Sequence, residues 1–291
     1  MNWLRRRGRE RCRRATFVLA VALAGTPPAI AAQGVPEELR RERAEYANWL
    51  ATAPSSPFRA LLQHPIGRSV SLGPASTDIP LTGLGPATLE EKGGTLSLTV
   101  AGATRPVWRD RLVSLGSYQL LAQGPPGRTV VTVFGPERKG YAAPEHFPHA
   151  PRWRFEVSLD PVKRPTAQRL LAPDGTEVEA TEAGTVTVPI GDRRVPLRVL
   201  RMPGAGGEES ELEIYFQDQT NGRGSYPAGR FVNLSPAGEG RYVLDLNRAR
   251  NAFCAYNSAY PCPAPWRGNR LPAIVAAGER YAGGGLSNPP Q

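Results

Sequence analysis

The densest run of polar and charged side chains in this chain lies between residues 217 and 280. Three acids within it, Asp218, Asp245 and Glu279, could bring their carboxylates together. Paired carboxylates support general acid/base catalysis, and carboxylate oxygens are also preferred ligands of Ca²⁺. This trio is therefore our candidate catalytic set, and a hydrolase acting on cell-envelope material is the activity it suggests.

Amide and guanidinium groups in the same segment suggest a binding site instead. Their hydrogen-bonding groups could bind a sugar or an anion, and the candidates are Arg230, Asn247, Asn251, Asn269 and Arg270. A third interpretation is a buried network, because Asn and Asp side chains often satisfy turn backbones and a buried carboxylate needs a partner. The sequence leaves all three open and favours the buried network.

Motifs for other chemistry are missing from the sequence. It contains no G-x-S-x-G, H-E-x-x-H or phosphate-loop pattern, and its three histidines make a Ser-His-Asp triad improbable. His146 and His149 supply two ligands at most, in a Pro-rich segment. We therefore predict no metal site at these histidines and no cofactor.

Two cysteines, Cys254 and Cys262, flank a short segment inside the polar region. The third cysteine, Cys12, lies in the N-terminal segment predicted below to be a cleaved signal peptide, and the even number that remains in an exported protein favours a disulfide. Free thiols and a metal site remain alternatives, although no further Cys or His lies nearby to complete a metal site.

Residues 216–280 resemble the C-terminal signature of the family called domain of unknown function 1684. The matching positions are Phe216, Asp218, Thr220, Gly222, Tyr226, Gly229, Arg230, Asp245, Asn247, Ala249, Asn251, Cys254, Ala255, Tyr256, Cys262, Pro263, Pro265, Asn269, Arg270, Leu271, Ala277, Gly278 and Glu279. The departures are Ser225, Leu246, Arg250, Ala252 and Trp266. Because the departures fall mostly at packing positions, the polar set is retained. The family name implies no reaction and no catalytic residue.

The N-terminus has the three parts of a secretory signal. Seven arginines lie within the first fifteen residues, an apolar run covers 16–25, and Ala29-Ile-Ala-Ala32 offers a small-residue cleavage site. We expect cleavage near Ala31 and a secreted or periplasmic protein, through general secretion rather than the twin-arginine route. The apolar run is shorter than the roughly 20 residues that span a bilayer. After residue 32 the sequence has no apolar run long enough to cross a membrane either.

The net charge of +10 falls largely on this N-terminal segment. Its first fifteen residues carry seven Arg and one Glu, so about +4 remains on the mature chain. That value is ordinary for a soluble surface, and no basic stripe is interleaved with aromatic residues. We predict no nucleic-acid partner; the sequence leaves the partner open, with a cell-envelope ligand as one candidate.

The elements that must position the polar cluster are mostly strands. Alternating apolar runs such as 95–100, 153–159 and 211–216, separated by Gly and Pro, predict a mainly β fold of sandwich type. One amphipathic N-terminal helix is expected over 36–52. The predicted division is a signal peptide at 1–31, the helix at 36–52, β modules at 55–145 and 150–282, and a disordered tail at 283–291.

Residues 66–81 resemble the opening of a forkhead-associated β-sandwich through their Gly-Arg and Asp-Ile-x-Leu elements. The Ser-x-x-His that reads phosphothreonine in that family does not follow, since His64 precedes the Gly-Arg. The resemblance therefore implies the fold without phosphopeptide binding. Taken together, the sequence predicts an exported, non-catalytic binding or scaffold module, with the envelope hydrolase as the alternative.

Overall fold

The computed structural model describes residues 34–136, 141–204, 209–264, 266 and 268–281. The predicted signal peptide at 1–31 and the predicted disordered tail at 283–291 lie outside these residues. Within them the fold is mainly β, with one α-helix, α1 (Glu37–Thr52), so the predicted fold class is confirmed. Pro36 precedes the first helical turn, and Glu37 and Glu38 lie at the positive end of the helix dipole.

The strands follow one another along the whole described chain. In order they are β1 (Ala60–Pro65), β2 (Ser69–Gly73), β3 (Ile79–Pro80), β4 (Ala87–Lys92), β5 (Thr95–Val100), β6 (Ala103–Val107), β7 (Leu112–Leu115), β8 (Tyr118–Gln123), β9 (Val130–Phe134), β10 (Arg154–Ser158), β11 (Asp160–Pro161), β12 (Ala167–Leu171), β13 (Glu177–Ile190), β14 (Arg193–Met202), β15 (Glu211–Phe216), β16 (Arg230–Pro236) and β17 (Arg241–Asp245).

The first nine strands form a two-sheet sandwich. One sheet has the order β1-β9-β8-β7 and the other the order β3-β2-β4-β5-β6. Apolar side chains of both sheets share one core, with Leu72 and Leu98 from one sheet and Val131 and Val133 from the other fully buried. Burying each such side chain stabilises the fold by about 1.5–3 kcal/mol. The forkhead-associated resemblance of this half stays a prediction.

The second half is a single eight-stranded antiparallel sheet in the order β10-β17-β16-β15-β14-β13-β11, with β12 paired to β13. Its two ends, β10 and β11, are separated in the chain by Leu159 alone. The edges of the sheet therefore meet, and the sheet curls around its own apolar core. Val188, Leu197, Ile214 and Leu244 are fully buried in that core.

The alternation of β15 determines what the curled sheet presents on its outer face. Leu212, Ile214 and Phe216 belong to the interior core, so Glu211, Glu213 and Tyr215 point the other way.

Among the described residues, no helix combines the length and the apolar character that crossing a membrane requires.

Candidate functional site

Arg230, the first residue of β16, is the centre of the predicted polar cluster, and its side chain is 0% exposed. Its guanidinium donates to the backbone carbonyls of Val275 (3.0 Å), Ala277 and Glu279 (3.2 Å). It also pairs with Asp218, with 2.6 Å between Nη2 and Oδ2. Arg230 thus ties β16 to the C-terminal segment 275–279.

Asp218 is occupied on both carboxylate oxygens. One oxygen accepts from Arg230, and the other accepts from the backbone N–H of Thr220 (2.6 Å) and, more weakly, of Val275 (3.4 Å). Its side chain is buried. A buried, fully partnered carboxylate of this kind fixes a turn and does not present a free base.

Glu279 is buried in a different part of the same network and is 0% exposed. Its Oε2 accepts from the backbone N–H of Asn251 (2.8 Å) and from the hydroxyl of Tyr256 (2.5 Å). Burial raises the pKa of Glu279, and the two donors oppose that rise. The preceding residue, Gly278, allows the backbone to bring Glu279 to this position. Its φ is +74°, and a Cβ there would lie 2.7 Å from the Ala249 carbonyl oxygen.

Asp245 and Asn247 form a local motif at the end of β17. Asp245 Oδ1 accepts from the backbone N–H (3.0 Å) and the side-chain amide (2.8 Å) of Asn247. The Asn247 amide in turn accepts from the N–H of Ala150 (2.9 Å) and donates to its carbonyl oxygen (3.1 Å). The Asn247 side chain therefore pairs with Ala150 as the backbone of a neighbouring strand would, and it holds Ala150 against the end of β17.

Of the other candidate binding residues, Asn251 and Asn269 are buried and Arg270 is exposed. Asn269 accepts from the Arg198 N–H (2.8 Å) and donates to the Arg198 carbonyl oxygen (2.9 Å), which repeats the backbone-mimicking arrangement. Asn251 is buried and donates to the Arg280 carbonyl oxygen (3.2 Å). Arg270 is exposed and lines a groove of about 350 Å³ that also touches Asp218.

Cys254 and Cys262 lie at disulfide-bonding distance with their Cα atoms 5.5 Å apart, so the predicted pairing is confirmed. The hydroxyl of Tyr226 lies 3.3 Å from one sulfur and 3.1 Å from the other. The disulfide thus closes the loop that follows the Asn251 segment.

The structure therefore brings the predicted residues together as a fold-determining network. Arg230 contacts the carboxylate of Asp218 and the backbone carbonyl of Glu279, whereas Asp245 forms its own motif with Asn247. Among the described residues no group of three or more His, Cys, Asp or Glu is arranged to hold a metal ion.

A cleft of about 590 Å³ lies on the outer face of the curled sheet. One wall is α1, which contributes Glu42, Tyr46 and Trp49 at helical spacing, so all three share one face. The opposite wall is the outer face of β15 and β16, and the segment after β17 completes the lining. Those further residues are Pro173, Glu211, Glu213, Phe231, Val232, Asn233, Ser235, Arg248, Arg250, Asn251 and Phe253.

Glu213 is the unusual side chain of this cleft. It is 7% exposed, and its buried Oε1 has no hydrogen-bond partner among the described residues. Burial, and secondarily the charges of Glu211 and Asp174, raise the pKa of Glu213 to about 8. A carboxyl with a strongly raised pKa that lines a cleft marks a candidate functional position.

Sequence reasoning missed Glu213, although a signal for it exists. The run Glu211-Leu-Glu-Ile-Tyr-Phe216 alternates, which assigns Glu211, Glu213 and Tyr215 to one face of the strand. The sequence by itself predicts only a strand for this run. Because the covering helix lies far away in sequence, the alternation alone does not show that this face is buried.

The comparisons with known proteins agree with the signature. The family described as "Protein of unknown function (DUF1684)" matches residues 139–280. The chain belongs to this family. A solution NMR structure of an uncharacterized protein from Haloarcula marismortui is similar at 30% identity, over 50% of this chain and 79% of that chain, with a TM-score of 0.42. No curated protein matches the chain.

Proposed function

We propose that this DUF1684 protein is an exported, extracytoplasmic ligand-binding module without catalytic activity. Its ligand site is the cleft between α1 and the outer face of β15 and β16. The observation that carries the proposal is Glu213, a buried carboxyl whose Oε1 has no hydrogen-bond partner among the described residues and which lines a cavity large enough for a small organic ligand.

The shape and lining of the cleft support binding. Aromatic side chains of Trp49, Phe231 and Phe253 contribute to its walls, together with polar groups such as Asn233. Ligand sites are commonly lined in this way, by apolar surface with a few polar groups that set orientation. The volume lies within the range of about 300–1,000 Å³ that is typical of such sites.

The hydrolase alternative needs carboxylates that can reach a substrate. Asp218, Asp245 and Glu279 each accept hydrogen bonds from an arginine, from the backbone or from neighbouring side chains. A carboxylate committed to such partners would have to break them to act as a base, which costs free energy. The geometry therefore favours a binding function for this chain.

Export is supported by the sequence of the first 32 residues, which have a basic region, a short apolar core and an Ala-x-Ala site. A disulfide-linked Cys254–Cys262 pair is also typical of proteins outside the cytoplasm. N-terminal sequencing of the protein recovered from the periplasm or medium should begin at Ala32. Recovery of the intact N-terminus from the cytoplasm would contradict export.

The binding proposal is tested by screening cell-envelope fragments and small metabolites for stabilisation of the purified protein, with a hydrolase substrate panel run in parallel. We expect at least one stabilising ligand and no turnover. Trp49→Ala, which removes a cleft wall, should abolish the stabilisation. Trp108→Ala is the matched control because Trp108 is 64% exposed and belongs to the sandwich half.

Two results would overturn this proposal. One is turnover of a substrate that Asp245→Ala abolishes, since that would show an enzyme. The other is a ligand that binds the Trp49→Ala variant as tightly as the unaltered protein, since that ligand would not occupy the cleft.

A further inference from the structure

The charges on the helix side of the cleft already have partners. Arg248 pairs with Glu38 (2.8 Å) and Glu42, and Arg250 donates to Glu42 at 2.7 Å. The Arg250 guanidinium also lies 4.4 Å from the centre of the Tyr46 ring. This wall is close to neutral and has little excess charge to offer a ligand.

The sheet side of the cleft carries acidic side chains, and Glu213 among them has no cationic partner in the described part of the chain. No Lys or Arg side chain of the described chain forms an ion pair with Glu213, and Oε1 of that residue accepts no hydrogen bond. The charged neighbours that act on Glu213 are Glu211 and Asp174, which are both acidic. The local field at this wall is therefore set by Glu211 and Asp174, and a positive group placed there would be attracted by them and, once its proton has left, by the Glu213 carboxylate.

Aromatic side chains stand beside this acidic wall. Phe231 is the strand neighbour of Tyr215 and stacks on it at 4.0 Å between ring centres, while Trp49 and Phe253 lie 6.0 Å apart. An organic ammonium group gains from both a carboxylate and the face of an aromatic ring. A bare metal ion would instead need several oxygen ligands, and the described residues offer no such cluster.

We infer that the cleft takes an organic cation, a ligand whose ammonium group lies against Glu213 among the surrounding aromatic side chains. This inference rests on the proposed function, because it names the ligand class of the same cleft. On binding, the Glu213 carboxyl gives its proton to solvent and the ligand ammonium takes the place of that proton. The charge in the cleft is then balanced by an ion pair.

A matched set of probes separates the charge of the ligand from its shape. Benzylammonium, benzyl alcohol and benzoate share one ring and differ in a positive, neutral or negative head group. Their affinities are measured from backbone amide shifts of the purified protein at pH 7. We expect benzylammonium to bind at least tenfold more tightly than benzyl alcohol, and benzoate to bind most weakly, with the largest shifts at Glu213, Phe231 and Asn233.

The variant Glu213→Gln gives the decisive comparison, because Gln keeps the size and hydrogen bonding of a protonated Glu but cannot carry a negative charge. It should weaken benzylammonium binding at least tenfold and change benzyl alcohol binding less than twofold. Glu179→Gln, an exposed strand carboxyl, is the control and should change neither. A Glu213→Gln variant that binds the ammonium normally would overturn the inference.

The other possible results of these measurements also test the inference. Tighter binding of benzyl alcohol or benzoate than of benzylammonium would overturn the cationic ligand but leave the cleft as a binding site. If benzylammonium fails to shift any cleft residue, the inference is wrong. If no compound of the wider envelope screen shifts those residues either, the proposed binding function is wrong as well.

Discussion

Glu213 offers a measurement of stability that needs no ligand. In the unfolded chain its carboxyl ionises near pH 4.5, whereas in the fold its pKa is raised to about 8. Between those values the native state holds a proton that the unfolded state has released. Stability therefore falls as the pH rises from about 4.5 to about 8, and it levels off above that range.

The size of the effect follows from the shift. A difference of about 3.5 pH units at about 1.36 kcal/mol per unit corresponds to roughly 5 kcal/mol lost from the free energy of unfolding by pH 9. That is a large share of the roughly 5–15 kcal/mol available to a typical domain. Glu213→Gln cannot ionise, so it removes this loss while keeping the shape of the protonated acid.

The assay is urea unfolding of the unaltered protein and of Glu213→Gln at pH 5, 7 and 9. We expect the two to agree within about 1 kcal/mol at pH 5, and the variant to be the more stable by several kcal/mol at pH 9. Titrating groups that do not interact with Glu213 are common to both proteins and cancel in the difference. Glu179→Gln, the same substitution at an exposed strand carboxyl, is the matched control. A Glu213→Gln difference that stays constant from pH 5 to 9 would refute the reasoning.

Three further predictions concern the buried network and are checked by chemical unfolding. Arg230→Met leaves Asp218 buried without its cation and should cost about 3–5 kcal/mol; a loss below about 1 kcal/mol would contradict a structural role. Asn269→Ala leaves the Arg198 N–H and carbonyl without their side-chain partner and should cost about 1–3 kcal/mol; an unchanged midpoint would refute that pairing. Reducing the Cys254–Cys262 disulfide opens a short loop and should cost about 2–3 kcal/mol, and mass spectrometry showing two alkylatable thiols before reduction would contradict the bond.

The elements with strong periodicity were predictable from the sequence. Thr95–Val100 and Glu211–Phe216 are strands with the bounds that their alternation suggests, and the helix begins one residue after the predicted position. The strand Ala103–Val107 was missed because four of its five residues are exposed and its apolar positions do not alternate. Strand Arg230–Pro236 was missed because it begins inside the polar cluster, where its first residue, Arg230, was interpreted as a binding residue.

The residues of the buried polar network could be named from the sequence, but neither their contacts nor the cleft could. Residue types correctly gathered Asp218, Arg230 and Glu279 into one region, because their spacing matched a family signature. Their partners are mostly backbone groups, such as the carbonyl oxygens of Val275 and Ala277, and a sequence does not show where backbone groups will lie. Glu213 was missed for the opposite reason, because what distinguishes it is a buried Oε1 that has no hydrogen-bond partner in the described part of the chain.

The buried network and the cleft are connected through two pieces of backbone. Arg230 is held by the C-terminal segment, and the next residue, Phe231, exchanges backbone hydrogen bonds of 2.8 Å with Arg250. The N–H of Asn251 is held by Glu279, and the Asn251 residue itself lines the cleft. The polar signature therefore sets the positions of the β16 wall and of the segment that faces it. A preorganised wall lowers the entropy that a ligand must remove on binding, since its side chains are already ordered. Residues that do not reach solvent, Arg230 and Glu279 above all, would in this way serve the proposed binding function without touching a ligand.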